Sequence, residues 1–285
     1  MRQQLQNSEN QSSPQTTLWQ GEYQFSHANY LNEEIKDIYK KKIKITFEDF
    51  KNTNYCFLYS EFNFEKNGEE SDSKASTLSK MCMESMYPIK IILDSRGLIM
   101  DIEFTKSTQQ ISSELDEIKL FFEDDFSFDY IERMKKEVQN PKEMLNKFRK
   151  TLIFSFLFSS VFSKKLDNDT ENSIYESFYP WISNANPILF EIHNSISDIE
   201  NSDGEFIKIK QKGISIDYRT YEELYYKEFE NEEFPIPDNK SIDCEFDAEY
   251  TIKKEKKSLQ RIEATFQNYV EENIEKEIFL LERLI

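Results

Sequence analysis

Two strand–turn–strand patterns constrain the fold of this chain most strongly. The apolar run Ile89–Leu93 leads through the turn 94–97, which ends in a glycine, into a second run, Leu98–Phe104. Cys244–Ile252 alternates apolar and polar residues, and a charged turn separates it from Ile262–Phe266. Short runs joined by such turns are typical of β-hairpins. The sequence therefore predicts antiparallel sheet in both regions.

Further strand patterns accompany these hairpins. Apolar residues alternate from Ile43 to Phe47, and Tyr55–Phe64 carries aromatic residues at strand spacing. Residues 206–218 predict another hairpin, with its turn at Lys212-Gly213. The last segment, 270–285, fits a helix or a strand, and we favour a strand because the preceding hairpin has an edge that needs a neighbour.

The segment between the two strand-rich regions has helical periodicity. Ile111, Leu115, Ile118 and Phe122 recur at spacings of four, three and four residues, so they share one helix face. The pattern predicts a helical layer over 105–162. The fold class expected from the whole chain is α+β, with a curved antiparallel sheet built from hairpins and an inserted helical layer.

The same patterns suggest how the chain divides. Residues 1–17 are polar and aperiodic, which predicts a disordered tail. Residues 18–285 should form a single α+β domain. Its strand-rich segments, 18–104 and 206–285, are candidates for two similar halves around the helices.

The charge of the chain bounds its partners. It has 54 acidic and 36 basic side chains, for a formal net charge of -18. This balance argues against nucleic acid and anionic membranes as ligands and favours a basic protein. Charge that only maintains solubility is the alternative. The longest apolar run, Leu152–Phe162, is too short to span a bilayer, which takes about 20 residues.

Cysteine usage and the N-terminus bear on the compartment. Cys56, Cys82 and Cys244 are widely spaced and odd in number, which predicts buried thiols in a reducing environment. The N-terminus lacks the apolar core of a secretion signal, so we expect a cytoplasmic protein. An exported protein already trimmed of its signal is the alternative.

Residue patterns typical of catalysis are scarce. His27 and His193 are the two histidines, and structural hydrogen bonding is their simplest role. The five glycines are dispersed, so no phosphate-binding loop occurs. The acidic residues around Gly204 miss the spacing of an EF-hand. We expect no enzyme activity, no cofactor and no metal.

Aromatic residues are numerous, with 24 Phe and 15 Tyr. Core packing accounts for most of them, and the alternative is that some form a partner surface, where tyrosine is enriched. One segment mixes Tyr and Phe with many glutamates. Its predicted partner-binding residues are Tyr221, Tyr225, Tyr226, Phe229 and Phe234.

The strand pairs of Ile89–Phe104, with its D-x-x-G turn, and Glu249–Phe266 resemble those of periplasmic lipoprotein carriers of the LolA type. The resemblance lies in strand rhythm and includes no specific motif. It implies a half-barrel that curls over helices and holds acyl chains.

Three functional hypotheses follow. The first is a non-catalytic adaptor, chaperone or immunity-type protein that binds a basic partner through an acidic, aromatic-rich surface. The second is a carrier that holds a hydrophobic ligand or acyl chain in a half-barrel. The third is an enzyme whose acid/base site has no recognised signature.

Overall fold

A computed structural model describes residues 14–51, 53–70, 73–163, 173–182, 185–201, 204–220, 223–224, 242–270 and 273–284. Its strands are β1 (Gly21–Leu31), β2 (Glu34–Lys51), β3 (Asn54–Lys66), β4 (Glu69–Glu70), β5 (Ile89–Leu93), β6 (Ile99–Phe104), β7 (Ser173–Tyr179), β8 (Ile188–Asn201), β9 (Gly204–Ser215), β10 (Cys244–Lys253), β11 (Ser258–Val270) and β12 (Asn273–Arg283). Its helices are α1 (Pro14–Leu18), α2 (Lys74–Met86), α3 (Thr108–Ile118), α4 (Asp125–Val138), α5 (Pro141–Arg149) and α6 (Leu152–Leu157), with 3-10 helices at Lys119–Phe121 and Ser160–Ser163.

The strands form one large, curved antiparallel sheet that does not close. Its order is β6-β5-β3-β2-β1-β12-β11-β10-β9-β8-β7, and the two-residue β4 pairs with β3. The first and last strands meet in the middle, where Tyr23 lies opposite Arg283 and Leu31 opposite Glu275. The two strand-rich segments of the sequence therefore form one continuous sheet, and the predicted α+β fold class is confirmed.

Bulges contribute to the curvature. The register shifts between Asn29 and Tyr30 in the β1–β2 pair, and between Thr251 and Ile252 in the β10–β11 pair. Each extra residue bends the strand that carries it and increases the local twist. A sheet that bends in this way has a distinct inner face, on which helices can pack.

Residues alternate between the two faces of the sheet. In β10, Phe246 and Tyr250 are buried on the inner face, whereas Asp247 is exposed on the outer face. The outer face is held by charge pairing across strands, as in the ion pair between Lys208 of β9 and Glu249 of β10. This alternation is the pattern that predicted the strand.

The helices have a core of their own beside the sheet. It joins α2, α3, α4 and α5 through buried residues that include Leu78, Leu115, Ile131 and Met144. Met83, Phe104 and Phe148 pack against both this core and the core of the sheet. The predicted helical layer at 105–162 is thus present as four α-helices and two 3-10 helices.

Several sequence-based expectations are confirmed. The hairpin at Ile89–Phe104 is β5–β6, the hairpin at Cys244–Phe266 is β10–β11, and residues 273–283 form strand β12. The cysteines are free and buried. No helix in the described part of the chain is long and apolar enough to cross a membrane.

The predicted hairpin at 206–218 is wrong. β9 runs without a turn from Gly204 to Ser215 and pairs with β8 on one side and β10 on the other. Gly213 is a packing position, because a Cβ there would lie 2.1 Å from Cε1 of Phe246. The glycine therefore makes room for an aromatic ring on the next strand.

The structure also contains strands and one helix that the sequence does not predict. β1 and β8 bury alternate residues over part of their length, and β7 alternates half-buried with exposed residues, but polar inner residues such as Asn194 weaken the pattern. Helix α1 begins at Pro14, within the segment predicted as a tail, and its last residue, Leu18, and the following Trp19 are buried. Residues 1–13 lie outside the described residues. The single-domain division and the similarity of the two halves stay predictions.

Candidate functional site

The inner face of the central strands is an aromatic surface, which we call the aromatic floor. It spans strands from β3 to β10 and its members are fully or almost fully buried. They are Phe25, Tyr59, Phe246, Tyr250, Phe266 and Phe279. Successive strands supply these rings because each lies at an inward-facing position of its strand.

The aromatic floor is covered by residues 152–163, which we call the inner segment. Phe156 lies 5.0 Å from Phe279 and 6.4 Å from Tyr250, measured between ring centroids. Phe154 lies 5.0 Å from Tyr59, and Phe162 lies 5.3 Å from Tyr250. One short helical segment thus reaches across the floor from β3 to β10.

The inner segment is attached mainly by apolar contact. Trp19 donates a hydrogen bond from Nε1 to the Leu157 carbonyl oxygen at 2.6 Å. No side chain caps the start of α6 at Thr151, and in the described structure the segment pairs with no strand. A helix of six residues is marginal alone, so its stability comes from burial against the floor.

A polar cluster borders the floor on β2 and β3. Glu61 is 7% exposed and accepts hydrogen bonds from Lys41 Nζ at 2.7 Å and from the Tyr59 hydroxyl at 2.5 Å. Burial, and then the neighbouring Glu61 charge, raise the pKa of Tyr59 well above its usual value. The ion pair between Lys41 and Glu61 therefore sits beside a neutral phenol.

A histidine adjoins this border on the neighbouring strands. His27 Nε2 lies 2.9 Å from Glu277 Oε2, with side chains 25% and 24% exposed. The imidazole ring is 6.5 Å from the Phe25 ring of the floor. His27 thus has the hydrogen-bonding role that the sequence favours.

A second polar cluster lies across β7, β8, β9 and β10. Gln211 donates to the Tyr175 hydroxyl at 2.8 Å and to Asn194 Oδ1 at 3.0 Å, and it accepts from the Tyr250 hydroxyl at 2.9 Å. Gln211 is 1% exposed. Its hydrogen bonds satisfy an amide that would otherwise be costly to bury.

Trp181 completes the cover at the far side of the floor. Its ring is stacked on Phe266, with centroids 4.8 Å apart and planes 11° apart. Its Nε1 is buried and has no hydrogen-bond partner among the described atoms. Together with Trp19, it places both tryptophans of the chain beside the floor or the inner segment.

A separate pocket of about 250 Å³ opens on the other face, at β3 and β5. Its lining includes Asp49, Cys56, Lys90 and Glu103. Burial, and then the adjacent Asp49, raise the pKa of the Cys56 thiol to about 11. The thiol is therefore protonated at neutral pH, unlike an activated nucleophile.

The predicted partner-binding residues are not among those that the structure describes. They are Tyr221, Tyr225, Tyr226, Phe229 and Phe234. Among the residues that the structure describes, no group of three His, Cys, Asp or Glu side chains could hold a metal ion.

Sequence reasoning did not single out the inner segment as part of a candidate site. Its signal is the apolar run Leu152–Phe162, which by itself indicates only a buried helix end or strand. Periodicity identifies such a run as buried, but it does not tell which surface the run covers.

Comparisons with known proteins identify no family for this chain. No family model matches it, and no curated protein matches it. A solved structure titled "Lipid-protein interactions in lipovitellin" aligns with 94% of this chain and 25% of that chain, at 9% identity and a TM-score of 0.48. A protein of unknown function from the DUF3598 family of Nostoc punctiforme aligns with 93% of this chain and 96% of that chain, at 6% identity and a TM-score of 0.15. The resemblance to lipoprotein carriers stays a prediction.

Proposed function

We propose that this protein is a non-catalytic carrier that holds a hydrophobic chain, such as the acyl chain of a lipid, between the aromatic floor and the inner segment. One observation carries the proposal. The aromatic floor is covered by a mainly apolar segment that forms no strand pairing with the sheet in the described structure. Its Ser159 is hydrogen-bonded to the side chains of Tyr179 and Tyr250. The floor can separate from its cover without the loss of any strand pairing.

The inner segment and an acyl chain would each gain a similar free energy from burial against the aromatic floor. Burial of one large apolar side chain stabilises by about 1.5–3 kcal/mol, and a 16-carbon chain at about 0.8 kcal/mol per methylene gains roughly 12 kcal/mol. The segment buries seven such side chains: Ile153, Phe154, Phe156, Leu157, Phe158, Val161 and Phe162. Complete expulsion of the segment would therefore offset the gain. If the acyl chain instead inserts between the inner segment and the aromatic floor, the floor, the acyl chain and the segment all stay shielded from water.

The polar clusters beside the floor would receive the polar end of the ligand. Lys41 and His27 can donate hydrogen bonds near Phe25, at one margin of the floor. A fatty-acid carboxylate at this margin would compete with Glu61 and Glu277 for these donors. A neutral or cationic headgroup would keep the existing pairs.

The chemistry of the site supports binding in preference to bond making. Each histidine has a single glutamate as its side-chain partner in the described structure, His27 with Glu277 and His193 with Glu191. Burial raises the pKa of Cys244 to about 12, so this thiol is also protonated at neutral pH. A nucleophile–base pair would need a lowered pKa or an adjacent base.

The cytoplasmic location and a basic protein partner belong to the same proposal as expectations from the sequence. The five partner-binding residues predicted within 221–234 lie outside the described residues. The support for a basic partner remains the acidic net charge of -18.

A variant of the inner segment tests the proposal, because a substitution that weakens protein packing should here strengthen ligand binding. Phe156→Leu weakens the contact between segment and floor by about 1 kcal/mol. Ligand insertion then starts from a less stable closed state, so a fluorescent fatty acid such as cis-parinaric acid should bind severalfold more tightly, up to about tenfold.

Phe178→Leu is the matched control, because Phe178 is 59% exposed on β7. It should leave the affinity unchanged, and mass spectrometry should recover the ligand chemically intact. Absence of saturable binding to the wild type contradicts the carrier proposal. An equal change in fatty-acid affinity in Phe156→Leu and Phe178→Leu contradicts binding between the floor and the inner segment.

A further inference from the structure

We propose that the junction between α3 and α4 docks a basic, amphipathic helical segment of a partner protein. We call this junction the acidic tip, which comprises residues 116–129. It is distinct from the aromatic floor, and its partner surface differs from the one predicted at 221–234.

Three large apolar side chains project from the acidic tip. Leu120 is 83% exposed, Phe121 70% and Phe126 60%. The neighbouring Ile118 and Phe122 are buried and supply the contacts that the helical core needs. The three exposed side chains are therefore surplus to folding, and clustered exposed apolar groups mark interaction sites.

Ion pairs and a helix cap connect the acidic tip to the neighbouring helices. Lys119 forms ion pairs with Glu132 and with Asp116, the latter at 3.3 Å. Asp124 caps α4 by accepting from the Ser127 backbone N–H at 3.1 Å, and it also pairs with Lys74. A rigid surface loses little conformational entropy on binding.

The charge of the acidic tip selects the partner. Residues 116–129 contain six acids and one base, Lys119, which is already paired. In the described structure, four of the acids have no ion-pair partner: Glu117, Glu123, Asp125 and Asp129. An apolar patch rimmed by free carboxylates complements a helix with an apolar face and Lys or Arg beside it. The same charges repel an anionic membrane.

The test uses a defined probe. An 18-residue helical peptide of Leu and Lys, with Leu on one face, is titrated against the full chain at physiological salt and followed by fluorescence anisotropy. We expect saturable binding that Leu120→Ser and Phe121→Ser together weaken at least tenfold. Both residues are exposed, so the unfolding midpoint should stay within error of the wild type.

Ile174→Ser is the matched control, because Ile174 is 61% exposed on β7, away from the acidic tip. It should leave the peptide affinity unchanged. Asp125→Asn should lower the affinity and reduce its dependence on salt concentration.

Three results overturn the proposal. The first is absence of saturable binding, and the second is an equal loss in the Ile174→Ser variant, which shows that binding does not depend on the acidic tip. The third is equal binding of a Leu/Glu peptide or of phosphatidylcholine vesicles, which assigns the patch to general apolar adsorption. The Leu120 and Phe121 substitutions should leave fatty-acid binding unchanged. A negative result for peptide binding therefore leaves the carrier proposal untouched, and a negative result for fatty-acid binding leaves the docking proposal untouched.

Discussion

At the scale of single residues, Gly213 shows what an alternation pattern cannot reveal. In the sequence, Lys212-Gly213 has the composition of a turn. In the sheet, the glycine lies within strand β9, and the Phe246 ring occupies the place that a side chain at position 213 would take. Local propensity makes both structures available, and the long-range contact with β10 decides between them.

Replacement of this glycine by alanine should destabilise the protein. Three atoms of the Phe246 ring lie within 2.7 Å of the position that an alanine Cβ would take, and Phe156, Tyr179 and Phe190 pack around that ring. We expect Gly213→Ala to lower the free energy of unfolding in urea by about 1–3 kcal/mol. In a Phe246→Leu background, Gly213→Ala should lower the free energy of unfolding by less. An equal loss in both backgrounds would contradict the packing explanation.

Asp94 gives a pH-dependent contribution at the β5–β6 turn. Burial opposes ionisation, but hydrogen bonds from the backbone N–H of Leu98 and from Arg96 lower the pKa of Asp94 below its usual value. Its stabilisation is therefore complete above the unfolded pKa of about 3.9 and is lost as pH falls below it. Asp94→Asn should reduce unfolding free energy by about 1–2 kcal/mol at pH 7 and by progressively less below pH 4. Asp247→Asn, at an exposed position on β10, is the control for the change of charge itself.

The contribution of the three cysteine thiols to stability should depend on pH in the opposite direction to that of Asp94. Burial raises the pKa of Cys56 and Cys82 to about 11 and that of Cys244 to about 12. Their contribution to stability is complete below about pH 8.5 and is lost as pH rises towards 12. In the native protein at pH 8 a soluble disulfide reagent should label none of them rapidly, and in denaturant all three. Rapid native labelling would contradict their burial.

At the scale of elements, the sequence predicts best those strands whose inner residues are uniformly apolar. β10 alternates strictly, so its pairing with β11 is visible in the sequence. β8 carries Asn194 inward, where the partner that satisfies it, Gln211, comes from β9. A polar residue that is buried through a tertiary hydrogen bond looks like a surface residue in the sequence, which explains why alternation does not predict β8.

Helix α3 offers a test of local stabilisation. Ser107 accepts a hydrogen bond from Gln110 N, and the Gln110 side chain accepts from Ser107 N, which completes a capping box. Ser107→Ala should lower the free energy of unfolding by about 1 kcal/mol. Ser113→Ala, at an exposed position within the same helix, should leave it unchanged or raise it by a few tenths of a kcal/mol. Equal losses in both variants would rule out the cap as the cause.

At the scale of the whole molecule, the fold class followed from the sequence but the candidate site did not. Alternation and helical spacing predict the sheet and the helical layer, since these patterns reflect burial on one face. Which apolar run covers the floor depends on how β1 and β12 pair in the sheet centre and on where α6 packs. These contacts join residues far apart in the chain, and no local pattern encodes them.

The central claim is that a hydrophobic chain inserts between the aromatic floor and the inner segment, beside Trp19 and Trp181. Both tryptophans of the chain contact the inner segment or the floor, so tryptophan fluorescence, excited selectively over that of the 15 tyrosines, reports ligand contact at this place. Stearic acid brominated at its midpoint quenches tryptophan on contact. We predict saturable quenching with one ligand per chain that unbrominated stearic acid reverses by competition. Fluorescence that stays unquenched at saturating lipid, or quenching that stearic acid does not reverse, would contradict the account.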